Sequence, residues 1–390
     1  MQAGGNPPAF PAEPANAPRM NHSPARIPAL DGLRGAAIAL VLIQHLVVPL
    51  LGQVPASPGA YLAAALTLSY TGVDLFFVLS GYLIGGILLD HRGSPRLFTT
   101  FYLRRAVRIL PICLLCIGAI LGAQAAGLYG SPPGGRPWPA AVYFLFSTNL
   151  WIAAASGWGY GPLAHLWSLG IEEQFYLVAP WLIRWARPAR IGILLLGFVL
   201  FAVCIRLLLL MAGMNALTVA MLPICRTDAL GLGMLAAWGM RNPVARTWCE
   251  RRPGRLLGLM GLAAVGCAVL TKLRAGNGSL PMAAGGDTII ALFYTTWLLL
   301  CETRPASKLS QLLSATPLVL LGRWSYFIYL FHRFIAGIVI SLVFHGRLAI
   351  CAPATWLQLV VGLAGLLVAA AASWRWLEAP FTAWGRRRAY

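Results

Sequence analysis

The stretch Asp31-Gly32-Leu33-Arg34-Gly35-Ala36-Ala37-Ile38-Ala39-Leu40-Val41-Leu42-Ile43-Gln44-His45 opens the first long apolar run of the chain. It carries a guanidinium near its start and an imidazole deep inside. On a regular helix the step from Arg34 to His45 spans about 16 Å and returns to within roughly 20° of the same azimuth. The two side chains share one face. A polar ionisable group at that depth in a membrane helix costs about 2 to 3 kcal/mol unless it faces protein or a wet cavity, so function is its default reading. A histidine hydrogen-bonded inside a helix bundle is the plainer alternative.

The surroundings of that stretch fix its setting. The chain has 390 residues, 59% hydrophobic and only 11% charged, with a mean hydropathy of +0.73 that soluble domains of this length do not carry. It reads as an all-α, polytopic integral membrane helix bundle. The polar stretches between apolar runs are too short for a separate soluble domain. A net charge of +19 raises nucleic acid as a partner, but the Lys and Arg residues fall in short loops at helix ends rather than on one basic face. Nucleic-acid binding is excluded on that ground. The eight cysteines are scattered and imply no disulfide framework. Cys113 and Cys116 form a Cys-x-x-Cys on an expected membrane helix, without the strand context of a redox motif or further ligands for a metal, and read as packing. Residues 1–26, rich in Pro, Ala and Asn, are expected to be a disordered cytoplasmic tail, and no cleavable signal peptide is visible before the first span.

Apolar runs long enough to cross about 30 Å of hydrocarbon lie near 35–52, 71–89, 106–126, 168–185, 191–211, 217–239, 256–272, 286–302, 317–344 and 355–377. A further run, 138–153, is too short. If it crossed, Arg184, Arg187 and Arg190 would be outside and every later basic loop would flip with them. If it does not, 22 of the 30 basic residues lie in or at the cytoplasm, against Arg136, Lys272, Arg274 and Arg347 in outer loops. The asymmetry predicts about ten transmembrane helices with both termini cytoplasmic, and a re-entrant or surface helix at 138–153. A membrane domain at 27–380 and a basic cytoplasmic tail at 381–390 complete the plan. Arg206, Arg226, Arg323 and Arg333 remain within the spans and are not expected to face lipid.

Several polar constellations stand out within these spans. Asp74 lies toward the outer end of the second, where a helix N-cap is one reading, with Ser80 about two turns deeper. Ser80 and Gly81 most simply allow close helix packing. Arg104, Arg105 and Arg108 gather at the cytoplasmic mouth of the third. Arg104 and Arg108 are one turn apart, which suits a fork of guanidiniums gripping phosphates, and a positive-inside flank is the competing explanation. Glu172 and Glu173 are adjacent, so at most one can easily face a given site, and capping does not readily explain two carboxylates beside His165 and Trp167. Arg226 and Asp228 lie in the sixth span and form a structural pair or a site. The ninth holds Ser325, Tyr326 and His332, the last as readily a core histidine as a substrate contact. No nucleophile elbow, metal-ligand cluster or Walker-type loop is present, and no metal is expected.

Six stretches together resemble the membrane acyltransferase 3 family: Asp31-Gly-Leu-Arg34-Gly with His45; Asp74 to Tyr82; Arg104-Arg105-x-x-Arg108-Ile-Leu-Pro111; Trp167-Ser-Leu-Gly-Ile-Glu172-Glu173-Gln-Phe-Tyr176; Arg226-x-Asp228 with Gly231 and Gly233; and Ser325-Tyr326 to His332. Each is weak alone; six in order are specific. The resemblance covers about 26–380 and implies an inner-membrane O-acyltransferase of the kind that acylates surface glycans, exopolysaccharides, nodulation factors or macrolides. It implies a cytoplasmic acyl-CoA donor, acetyl-CoA being the commonest, and an acceptor hydroxyl on a carbohydrate or glycolipid. His45 matches the histidine regarded as catalytic in that family, and Arg34 its partner. On that basis Glu172 and Glu173 join His45 as candidate catalytic groups, Arg34, Arg104, Arg105 and Arg108 would hold acyl-CoA, and Asp74, Ser80, Arg226, Asp228, Tyr326 and His332 would meet substrate. A proton-coupled transporter or flippase is the competing class, since buried charges and a midplane histidine suit it too.

Overall fold

A computed structural model describes residues 27–51, 58–126, 138–158, 163–344 and 353–390, so the expected tail at 1–26 lies outside the described residues. Ten long helices carry the fold: α1 (Pro28–Leu42), α2 (Gly72–His91), α3 (Leu97–Ala125), α4 (Trp167–Trp185), α5 (Ile191–Met211), α6 (Pro223–Arg241), α7 (Pro253–Lys272), α8 (Asp287–Thr303), α9 (Thr316–Phe344) and α10 (Pro353–Ser373). Pro28, Pro223 and Pro253 open their helices in the first turn, where a missing N–H leaves no bond unmade. No strand occurs among the described residues.

Seven helical stretches are long and apolar enough to cross a membrane among the described residues: those containing α1, α2, α3, α5, α7, α8 and α10. The remaining long helices, α4, α6 and α9, form where spans were expected and carry Glu172 and Glu173, Arg226 and Asp228, and Arg323 and His332. The short run at 138–153 folds as two pieces, Ala140–Phe144 and Thr148–Ala155, neither able to cross. Between them Phe146 adopts φ of 51°, and its carbonyl accepts a hydrogen bond from Gln174 Nε2 at 2.9 Å. Asn149 Nδ2 donates to Gln174 Oε1 and to Met221 O, each at 3.1 Å, so one amide pins the broken segment to α4 and to the short helix Ala216–Met221 that precedes α6.

The central helices approach closely enough to need glycine. α1 crosses α9 where a Cβ on Gly322 would lie 1.8 Å from Asp31 O and one on Gly35 would lie 2.1 Å from Leu318 O. α2 crosses α6 where a Cβ on Gly81 would lie 2.0 Å from Leu230 O and one on Gly233 2.1 Å from Val78 O. Helix association in lipid rests on such backbone proximity, because apolar side chains gain little by leaving hydrocarbon. Cys113 and Cys116 are buried as free thiols in this packing, with Cys116 Sγ donating to Leu330 O at 3.3 Å.

The last residues pack back against the bundle. Ala379–Arg386 is a helix packed on α3, and Thr100 Oγ1 donates to Ala389 O at 3.0 Å. Tyr390 stacks on His91 with ring centroids 4.1 Å apart.

Replacing Gly322 by Val should force α1 and α9 apart at a destabilisation of about 1 to 3 kcal/mol, the usual range for overpacking. Thermal melting of the detergent-purified variant measures it, and an unshifted transition would contradict the close crossing.

Candidate active site

Five helices enclose a cavity of about 100 Å³. α2 supplies Val73, Phe76, Phe77 and Ser80, the spacing of one helical face. α4 supplies Ser168, Glu172 and Tyr176, and α9 supplies Ser325, Tyr326 and Tyr329. Arg34 enters from α1, and Arg105 and Arg108 from α3, so three guanidiniums share the lining with a single carboxylate, that of Glu172. Such a surplus of positive charge favours an anionic ligand.

Glu172 is held on two sides. Its Oε1 accepts hydrogen bonds from Ser80 Oγ and from Tyr176 OH, and the Arg105 guanidinium lies 5.9 Å from the Tyr176 ring centroid. Arg34 is 3.7 Å from Asp31 one turn back. Tyr326 OH donates to Ile109 O at 2.8 Å, joining α9 to α3. Glu173 is absent from the lining, as its azimuth about 100° from Glu172 requires, and its Oε1 is buried without a hydrogen-bond partner among the described residues.

Arg104 also stands apart from the cavity. Its Nη2 donates to Arg386 O at 3.3 Å and to Arg388 O, and its guanidinium lies 4.5 Å from the Tyr390 ring centroid. Of the pair Arg104 and Arg108 expected to act as a fork, only Arg108 lines the cavity, together with Arg105, because the C-terminal segment packs on the side of α3 that bears Arg104. Burial pushes the Tyr390 phenol above its ordinary pKa.

Beyond Tyr329 lies a cluster of imidazoles. Tyr329 OH donates to His165 O at 2.6 Å and accepts from Ser168 Oγ at 2.5 Å, so its ring is fixed at the cavity's end. The His332 ring centroid lies 4.9 Å from that of His45 and 5.2 Å from that of His165. His45 sits in a π-helical turn, Ile43–Val47, that interrupts the first span, so the straight-helix alignment with Arg34 holds only as far as Leu42. Such turns are rare and concentrate at functional sites. His45 Nδ1 is 3.0 Å from Val41 O. A carbonyl only accepts, so the hydrogen is on Nδ1 and Nε2 keeps its lone pair.

Asp74, Arg226 and Asp228 are brought together elsewhere. Arg226 bridges Asp74 on α2 and Asp287 on α8, while Arg206 on α5 pairs with Asp228 at 3.0 Å and donates to Thr288 at 2.5 Å. All five charged side chains are buried. Asp74 is thus an ion-pair partner rather than a helix cap, and none of these groups lines the cavity. Arg206 and Arg226 are kept from lipid as expected, but Arg333 is exposed, since it follows His332 and points about 100° away from the bundle. Sequence reasoning had not singled out Tyr329, Ser168 and Tyr176 as site residues; all three lie in or beside the stretches quoted above. Asp287 carried a weak signal, a lone carboxylate at the start of an apolar run.

With the geometry in place, comparison with known proteins gives the class. The family model described as Acyltransferase domain matches residues 27–375, and the chain belongs to this acyltransferase 3 family. With its apolar helices, that makes it a multi-pass membrane protein. It is 29% identical over 347 residues to O-acetyltransferase OatA of Staphylococcus aureus, covering 84% of this chain and 54% of that one. It is 26% identical over 371 residues to Peptidoglycan O-acetyltransferase OatA of Listeria monocytogenes, covering 91% and 55%. The chain spans about half the length of the curated relatives it matches. No solved structure matches it.

Replacing Arg226 by Leu should strand Asp74 and Asp287 without their cation and destabilise the fold by about 3 to 5 kcal/mol, the usual effect of breaking a buried pair. Detergent-phase unfolding measures it, and retention of wild-type stability would deny the network its structural role.

Proposed function

We propose that this protein is an O-acyltransferase of the bacterial inner membrane, moving an acetyl group from cytoplasmic acetyl-CoA to a hydroxyl of a carbohydrate acceptor. The names of the relatives, O-acetyltransferase and Peptidoglycan O-acetyltransferase, support acetyl as the acyl group and a cell-wall or surface sugar as acceptor. In this reading the ten long helices all cross the membrane with both termini cytoplasmic, as the positive-inside count predicts.

The observation that carries the proposal is one cavity lined by three guanidiniums and by Tyr329, against whose ring His332 lies at 6.2 Å with His45 beside it, both imidazoles outside the cavity lining. Arg34, Arg105 and Arg108 would hold the phosphates of the donor, whose flexible arm follows the cavity inward. From Arg34 to His45 the helix rise is about 16 Å, a distance such an arm can span. The acceptor oxygen attacks the thioester carbonyl, and His45 Nε2 takes its proton; a C–O bond forms, the C–S bond breaks, and the thiolate takes the proton back. A positioned base of this kind contributes about 10² to 10⁴ in rate. Val41 O holds the ring in the tautomer that leaves Nε2 free. Glu172, fastened by Ser80 and Tyr176, orients the donor's arm, and Asp74, Arg226 and Asp228 support the walls rather than meeting substrate.

Two measurements test this with membranes and isotope-labelled acetyl-CoA. His45→Ala should lose transfer of label to glycan by about 10² or more while the protein still inserts; undiminished transfer, or translocation of acceptor without modification, would overturn the reading. Arg105→Ala and Arg108→Ala should each raise the KM for acetyl-CoA about tenfold or more and leave kcat little changed, the effect of removing a charge-assisted hydrogen bond.

A further inference from the structure

His332 was expected to touch substrate or to be satisfied within the core, and its surroundings point to neither. It stands seven residues past Ser325 and three past Tyr329, so the face of α9 that lines the cavity continues through it. The side chain is fully buried. Its Nδ1 lies 2.7 Å from Tyr329 O, and because that carbonyl can only accept, Nδ1 carries the hydrogen. The lone pair is therefore on Nε2, which is buried with no hydrogen-bond partner among the described residues. An unmade bond at a buried acceptor is unfavourable, so its retention asks for a reason.

The neighbours narrow that reason. His45 from α1 has its ring centroid 4.9 Å away, at an interplanar angle of 52°. His165, from the turn before α4, packs edge-on at 5.2 Å and is anchored through Nε2 to Leu330 O at 3.1 Å. Tyr329 lies at 6.2 Å with its hydroxyl committed to His165 O, and the Cys116 thiol of α3 is directed at Leu330 O. Arg333 follows His332, about 100° round the helix, and is exposed while staying within electrostatic range of both rings. No hydrogen bond or ion pair among the described residues gives His45 a carboxylate. When His45 takes a proton inside this cluster, the resulting imidazolium has Val41 O on one nitrogen and, on the other side, neutral rings with the Arg333 cation in electrostatic range.

We infer that His332 is the positioning partner of His45: its unpartnered Nε2 accepts one branch of a three-centre hydrogen bond whose other branch runs from the same His45 Nε2–H to the reacting substrate, steadying the buried imidazolium until the departing thiolate takes the proton. His332 itself neither gains nor loses a proton over the cycle, so the balance of the transfer is unchanged. His165 holds its ring in place. The inference rests on the acyl-transfer reading and on His45 as its base.

The test compares His332→Phe, which keeps a ring of similar size without the lone pair, with His332→Gln, whose side-chain oxygen restores an acceptor. With labelled acetyl-CoA, His332→Phe should lower kcat about 100-fold and leave the KM for acetyl-CoA unchanged. His332→Gln should recover about tenfold of that loss or more, a rescue that a merely structural ring would not give. Melting temperatures of the purified variants separate lost chemistry from lost fold, and the Gln variant, which needs only to outperform Phe, keeps the comparison decisive. Full kcat in His332→Phe, equal losses in both variants, or an effect confined to KM would overturn the pairing. Transfer lost in His45→Ala but intact in His332→Phe defeats the pairing alone, whereas transfer intact in His45→Ala defeats the acyl-transfer reading with it.

Discussion

Arg226 placed between Asp74 and Asp287 is the contact on which the rest of the bundle depends. Desolvating a guanidinium and two carboxylates costs several kcal/mol each, and the outlay is recovered only if the opposite charges are brought into direct contact. That requirement fixes α6 against α2 and α8, while Arg206 with Asp228 and Thr288 binds α5 into the same knot. Once α2 is fixed on that side, its Val73 to Ser80 face has no choice but to look toward α4 and α9, where the cavity forms.

The polarity of the cavity follows from the same economy of burial. Three guanidiniums and one carboxylate leave a positive interior, and several polar groups within it are tied down by a neighbour: Glu172 by Ser80 and Tyr176, Tyr326 by a backbone carbonyl of α3, Tyr329 by His165 O and Ser168. Fixed donors and acceptors in a water-poor space orient a ligand without reorganising when it arrives. The charges that hold the fold together and those that line the cavity are thus different residues, although both sets are arginines and acids.

Much of this was legible along the chain. Apolar run lengths located all ten long helices, and the shortness of 138–153 foretold a segment unable to cross. Six motifs in order indicated the family. What could not be read was which charges pair. Asp74 and Arg226 are 152 positions apart, and nothing local distinguishes a carboxylate that meets substrate from one that neutralises a distant guanidinium. Arg104, Arg105 and Arg108 likewise differ only in azimuth, and the docking of the C-terminal helix decides which of them reach the cavity.

Sequence alone determined that this is a membrane bundle of the acyltransferase 3 family with a histidine in its first span, because hydropathy and motif order are properties of residues taken in succession. Tertiary structure alone decided that His45 sits in a π-helical turn against His332, and that Arg34, Arg105 and Arg108 share one cavity with Glu172. The reason is physical: a helix's identity is written in its local pattern, whereas the direction in which one of its residues points is settled by the partner that relieves its buried charge.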